Sequence, residues 1–307
     1  SVLCILVIFT SLLKLKKLFA MKKLLLLSLT ILLFSCGDSD SDSDSDDNSP
    51  TSSVYLAPNG VTVMATEGSQ IGDTGSLNGE IYTIVNRQTL RDMVLNGEDV
   101  SKVCTSKITS LTDYIGLADV DFAQDISSWD VSNVTNMEAL FKDTTSFNED
   151  ISDWDVSNVT NMRNTFEESR FNQSIGGWNV SNVTDMYSMF ANNRDFNQPI
   201  GNWDVSNVTN MRYMFGQAAA FNQSIGNWNV SNVTTMAWMF ALTPSFNQPI
   251  EDWDVSNVTD MESMFSSSAF NQNISSWDVS NVTNCERFVL TSNINNNYLP
   301  NFNSNCD

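Results

Sequence analysis

From Phe122 onward the apolar positions fall into one recurring pattern. The run Phe122-Ala-Gln-Asp-Ile-Ser-Ser-Trp-Asp-Val-Ser-Asn-Val-Thr-Asn-Met137 returns with phenylalanine at 122, 147, 171, 196, 221, 246 and 270. The matching tryptophans are 129, 154, 178, 203, 228, 253 and 277, so the interval is always 24 or 25 residues. Seven copies at one period predict a stack, because a unit this short cannot bury its own apolar face. Around Trp203-Asp204-Val205 the alternation predicts a short strand, with tryptophan and valine inward and the aspartate outward. Met211, Met214 and Phe215 stand at i, i+3 and i+4, which predicts a helical turn capped by Ser206 or Asn207.

The rhythm Ile-x-x-Trp-x-Val-x-x-Val-x-x-Met is close to the Leu-x-x-Leu-x-Leu-x-x-Asn rhythm of leucine-rich repeats, with bulkier residues. The fold class expected is an α/β repeat solenoid, a leucine-rich-repeat-like stack of short parallel strands with short helical turns, over residues 103–288. Its first rung, Thr105–Leu111, is degenerate. The ends of such a stack expose apolar rungs unless something covers them. Residues 54–102 predict a small α+β N-terminal cap. Tyr55–Met64 reads strand, turn, strand; Leu77–Val85 offers a second turn and strand; and Leu90, Met93 and Val94 mark a helix that stops at Gly97. Residues 289–307 lose the repeat and are expected to form the C-terminal cap.

Upstream lies a different kind of sequence. Lys22 and Lys23 precede an apolar run that ends Leu33-Phe34-Ser35-Cys36, too short for a bilayer-spanning helix and matching a secretory leader. Residues 21–35 resemble a bacterial lipoprotein signal peptide, which makes Cys36 the lipidated residue of the mature N-terminus. Residues 1–20 start without methionine and read as a segment upstream of a true start at Met21. Residues 36–53 are an acidic, solvated tether with six aspartates between 38 and 47, similar to the surface-export signal of Bacteroidetes-type lipoproteins.

Charge narrows the chemistry. The chain has 15 Lys and Arg against 36 Asp and Glu, a net charge of −21, and no histidine. Five lysines and no acid precede Cys36, so cleavage there leaves −26. A nucleic-acid partner is disfavoured, since neutralising phosphates needs clustered Lys and Arg. Without imidazole the commonest general base and metal ligand are missing, no catalytic residues are assigned, and no enzyme is expected.

The candidate binding face is the ladder Asp130, Asp155, Asn179, Asp204, Asn229, Asp254 and Asp278, one residue per rung, expected on the exposed strand face. Such a face suits a basic partner or weak Ca²⁺ binding through hard oxygens; the alternative is a solvated face that keeps the protein soluble. If it is only a surface, the return loops around Asn192–Asp195 and Gly216–Ala220 are the next candidates. The repeated asparagine of Ser-Asn-Val-Thr is expected to form a ladder satisfying buried backbone groups between rungs. Trp238 breaks the tryptophan register. Seven rungs at about 4.8 Å separate Cys104 from Cys285 by roughly 34 Å, against a limit of about 7 Å for a bridge. The expected disulfide is therefore Cys285–Cys306, with Cys104 unpaired and buried.

Taken together, the unit Phe-Asn-Gln-x-Ile-x-x-Trp-[Asp/Asn]-Val-Ser-Asn-Val-Thr-x-Met-x-x-Met-Phe, over residues 103–288, resembles the repeat of BspA-type leucine-rich-repeat surface lipoproteins. The resemblance implies location at the cell surface and, for a few members, adhesion to host proteins or other bacteria. The chain is expected to be a monomeric lipoprotein anchored in the bacterial outer membrane, exposed at the cell surface, and binding an extracellular protein or glycan. An envelope structural protein without specific ligand is the alternative, and a carboxylate-based glycan hydrolase a remote one.

Overall fold

The structure, a computed structural model, describes residues 52–112, 117, 120–303 and 306. The leader, Cys36 and the acidic run to Asp47 lie outside the described residues.

The N-terminal module is small and mixed. β1 (Val54–Leu56) pairs antiparallel with β2 (Val63–Ala65), and β3 (Thr74–Leu77) pairs antiparallel with β4 (Glu80–Ile84). The second hairpin turns on Asn78 and Gly79, both left-handed with φ of 53° and 85°, the backbone that Asn-Gly adopts most readily. Helix α1 (Arg87–Leu95) starts where Asn86 accepts the Thr89 N–H at 2.8 Å, and it buries Leu90 and Val94 one turn apart. β5 (Val103–Cys104) then joins β4 in parallel. Val85, Leu90, Val94, Val100 and Val103 belong to the same apolar core as the repeats. The Trp129 indole donates to the Val100 carbonyl at 3.0 Å, which ties the first full repeat to this cover.

Inside the repeats neither the strand at Trp203–Val205 nor the helical turn at Met211–Phe215 forms. Each rung is a series of tight turns, and among the described residues strand-type pairing between neighbouring rungs is limited to single-residue parallel bridges, from Ser110 through Asn136, Asn161, Asp185, Asn210, Thr235 and Asp260 to Asn284. The Trp203 N–H bonds the Ile200 carbonyl, Val208 bonds Val205, Met214 bonds Met211, and Ala218 bonds Phe215. A turn closed by a bond between its first and fourth residues sends both of those residues the same way. The three-residue spacing of Ile200, Trp203, Val205–Val208, Met211 and Met214 thus arises from successive turn corners facing the core. The two residues between corners face out: Asn202 and Asn207 are exposed, Ile200, Trp203 and Val208 buried.

The segment from Met211 to Ala218 and its equivalents form a ribbon of such turns. Two residues per rung are left-handed there, in the central stack Ser188 and Asn192, Tyr213 and Gln217, Trp238 and Leu242. For a non-glycine residue this conformation costs about 1–2 kcal/mol. The return is a peptide turned along the stack. Ser188 N–H bonds the Arg212 carbonyl at 3.0 Å, Tyr213 the Ala237 carbonyl at 2.9 Å, and Trp238 the Glu262 carbonyl at 2.7 Å. Successive peptides are therefore joined head to tail from rung to rung.

Side chains repeat the same logic in the opposite direction. Trp203 Nε1 donates to the Ile175 carbonyl of the preceding rung at 3.1 Å, Asn207 Nδ2 to the Ser181 carbonyl at 2.7 Å, and Thr209 Oγ1 to the Thr184 carbonyl at 3.2 Å. The Ser-Asn-Val-Thr asparagines are exposed while doing this, so the groups they satisfy lie at the rim, not within the core. Aromatic rings stack in register, Trp228 on Trp253 at 6.5 Å and 2°, Phe215 on Phe240 at 5.8 Å and 6°.

At the far end Tyr298, Leu299, Phe302 and Cys306 pack against the last rungs. Cys285 and Cys306 are disulfide-bonded with Cα atoms 4.8 Å apart, and Cys104 is a buried free thiol whose pKa is pushed up chiefly by burial.

Two substitutions test this account by urea unfolding. Trp203→Phe removes one of the two donors to the Ile175 carbonyl, which keeps the Trp178 N–H at 3.1 Å, and leaves the stack a smaller ring. It is expected to cost about 1 kcal/mol or more, and more than Trp238→Phe on the ribbon. Leu242 is left-handed (φ 57°) and 46% exposed. Leu242→Gly is therefore expected to stabilise the protein, by about 0.5–1 kcal/mol, by relieving backbone strain with little packing lost.

Candidate functional site

The Asp/Asn ladder divides in two. Asp155, Asn179, Asp204, Asn229, Asp254 and Asp278 are exposed, but Asp130 is buried, which corrects its placement on an open face. The cover comes from the preceding turn: Ser106 Oγ donates to Asp130 Oδ2, and the Ser132 N–H and hydroxyl bond Oδ1 at 3.0 and 2.6 Å.

Along the exposed members Oδ1 accepts the backbone N–H of the serine two residues on. Asp204 does so from Ser206 at 3.0 Å, Asn229 from Ser231 at 3.2 Å and Asp254 from Ser256 at 3.1 Å. Such a turn needs an acceptor oxygen and not a charge, which is why Asp and Asn interchange here. The side-chain and backbone hydrogen bonds from that serine hold the carboxyls of Asp204, Asp254 and Asp278 below the usual range, with Asp278 opposing the effect at Asp254. Among the described residues no group of three or more carboxylate or cysteine side chains is placed to hold a metal ion.

The residues that differ from rung to rung gather on the turn ribbon. Arg163 lies between Asp185 at 3.0 Å and Glu138 at 3.7 Å, with its guanidinium 4.5 Å above the Tyr187 ring. Arg212 reaches two rungs on, across the buried Ala237, to Asp260 at 3.1 Å and Glu262 at 3.8 Å. Beside it the Tyr213 and Trp238 rings meet edge to face at 6.4 Å. Trp238 is half-buried. Nothing in its sequence context beyond the broken register marks this cluster.

Next to the ribbon a recess of about 350 Å³ opens among the return loops, lined by Thr145, Glu168, Ser169, Arg170, Asn192, Arg194 and Asp195. It includes one of the two return loops singled out above. Glu168 has its pKa raised, first by burial and then by the charge and hydrogen bond of neighbouring Asp143.

The family model described as "Mycoplasma protein of unknown function, DUF285" matches twice, over residues 86–200 and 184–302. The chain belongs to the DUF285 family. The first DUF285 match begins at Asn86, the cap of α1, so it takes in part of the N-terminal cover; the second runs into the C-terminal cover at Phe302. No curated protein and no solved structure matches the chain.

The ladder carries its own prediction. Carboxyls depressed in the folded state add stability above their unfolded pKa of about 4 and lose it as pH falls through the folded value. In a variant with Asp204, Asp254 and Asp278 all changed to Asn, the Tm at pH 7 should stay within about 2 °C of the parent, because the amide oxygen keeps each turn. Between pH 5 and about 2.5 its Tm should fall less steeply than that of the parent. Thermal melts across this range check both statements.

Proposed function

We propose that the protein is a lipid-anchored cell-surface solenoid of DUF285 repeats that recognises an extracellular protein or glycan through its turn ribbon and the adjoining return loops. The observation that carries this reading is a division of labour within the repeat. Positions that recur in every rung supply the core and the inter-rung hydrogen bonds, whereas Arg163, Tyr187, Arg212, Tyr213 and Trp238 are specific to their rungs and lie together on the ribbon. Half-exposed Tyr, Trp and Arg are the side chains that dominate binding when a partner desolvates them.

Further support comes from the company the family keeps. DUF285 repeats are found in surface proteins such as the BspA-like repeat proteins. The leader ending at Cys36 and the acidic run after it fit delivery to the outside of a bacterial outer membrane, through a lipid on that cysteine. No helix among the described residues is long and apolar enough to cross a membrane. Binding is favoured over catalysis because the recurring carboxylates serve turns set by the repeat and do not converge on one reacting centre.

The test joins location and recognition. Protease added to intact cells should remove the repeats, and Cys36→Ala should release the protein from the membrane. On arrays of matrix proteins and glycans the purified protein should bind a defined subset. Replacing Arg212, Tyr213 and Trp238 together with Ala, Ala and Ser should weaken that binding about tenfold or more. Protection of the repeats in intact cells, or uniform non-binding across both arrays, would sink the proposal.

A further inference from the structure

Arg170 and Arg194 stand exposed on neighbouring return loops, and neither makes an ion pair or hydrogen bond with any described residue. On the ribbon Arg163 and Arg212 are each held by two carboxylates. Two guanidiniums share one recess with Glu168 and Asp195 but pair with neither, in a chain of net charge −21.

The recess lies beside a break in the period, one that recurs between Phe265 and Phe270. Phe171 follows Phe166 by five residues, whereas Phe147 follows Phe141, and Phe196 follows Phe190, by six. The loop one residue short thus lies between two longer ones, and the recess beside it is bordered by Thr145 on one side and by Asn192, Arg194 and Asp195 on the other. Asn193, fully buried, fixes that border. Its amide donates to Ser169 Oγ at 3.2 Å and to the Phe171 carbonyl at 3.0 Å, while its Oδ1 accepts the N–H groups of Asp195 and Phe196 at 3.2 and 3.1 Å. The loop bearing Arg194 is pinned to the short loop bearing Arg170.

The lining selects a ligand class. Every lining side chain ends in a polar group, so the recess favours a polar ligand over an apolar one. The two guanidiniums favour a carboxylate, whose planar oxygens match their donor fork. Glu168 and Asp195 on the same rim disfavour a compact polyanion, and with Thr145 and Asn192 they offer partners for hydroxyl groups. A volume of about 350 Å³ is at the lower end of small-ligand sites. We propose that this recess binds a uronic-acid residue of an extracellular glycan, with its carboxylate between Arg170 and Arg194 and its hydroxyls on the flanking polar groups. The proposal rests on the extracellular reading given above but is tested without it.

The experiment titrates the full chain with glucuronic acid, glucose and inorganic sulfate, followed by NMR. Glucuronic acid should bind saturably, with glucose and sulfate each weaker by about tenfold or more. Arg170→Gln with Arg194→Gln should remove glucuronate binding while the unfolding transition stays in place. Inserting one alanine between Ser169 and Arg170, which restores the longer loop, should remove it too. Sulfate binding as well as glucuronate would reduce the site to a general anion site and overturn the sugar assignment, and so would equal binding of glucose. Unaltered glucuronate binding in the double variant, or no saturable binding by the parent, would overturn the site itself. A positive array result in either of those cases leaves recognition by the ribbon standing.

Discussion

The structure depends on one recurring requirement, that the peptide in the middle of a turn find its hydrogen-bond partner in the next rung and not in its own. An ordinary strand meets it by lying extended beside a neighbour. Here the chain turns too often for that, and the peptide is rotated along the stack by placing the residue after it in the left-handed region. Tyr213, Gln217, Trp238 and Leu242 all take that conformation, and each N–H bonds a carbonyl 24 residues further along the chain. Each strained residue costs about 1–2 kcal/mol taken alone, close to the penalty of about 1–3 kcal/mol for leaving a peptide group buried and unpaired. The strain is tolerated because the stack over-determines it. A rung on its own has no reason to fold.

This requirement explains which positions can vary. A turn has two inward corners and two outward residues, and the corners must fill a core in which each ring sits on the ring below. Phe215 touches Phe221 within its rung at 3.9 Å and Phe240 in the next at 5.8 Å. Such a column leaves little freedom in size or shape. The outward residues on the ribbon need only avoid collision, so that strip tolerates Arg, Tyr, Ser, Trp and Glu in succession. The Asp/Asn ladder is intermediate: outward, yet bound to one chemistry because its Oδ1 closes a turn.

Legibility followed the same division. The period, the inward residues and the Asn78-Gly79 turn can be read directly, because each follows from residue type at fixed spacing. The conformation within a rung cannot. Turn corners three apart and one face of a helix put apolar residues at the same intervals, so Met211, Met214 and Phe215 read as helix. The left-handed sites carry no composition signal either. Of the residue types found there only Asn and Asp lean that way, and Tyr213, Trp238 and Leu242 do not. Asp130 departs from the ladder for a different reason. What buries it is Ser106, in the degenerate first turn, where the repeat pattern no longer predicts contacts. The recess was half-visible. Intervals of 24 among intervals of 25 are plain in the sequence, but that one of them lies beside two unpaired arginines is a fact of folding.

A strictly periodic surface offers a partner lines and no points, since any feature of one rung is repeated in the next. A discrete site requires the translation to fail somewhere. Substitution can do this, as Trp238 does on the ribbon, but it changes only a side chain on an unchanged backbone. Deletion of one residue moves backbone, and it can do so cheaply only in the return loops, because everywhere else the head-to-tail peptides fix the count between rungs. Phe166 to Phe171 is such a place, and the bonds from Asn193 to Ser169 and Phe171 repair the hydrogen bonding that the shortened loop disturbs. In this chain the recess with two unpaired arginines stands where the period slips in a return segment, with a buried amide nearby to hold the slip in place.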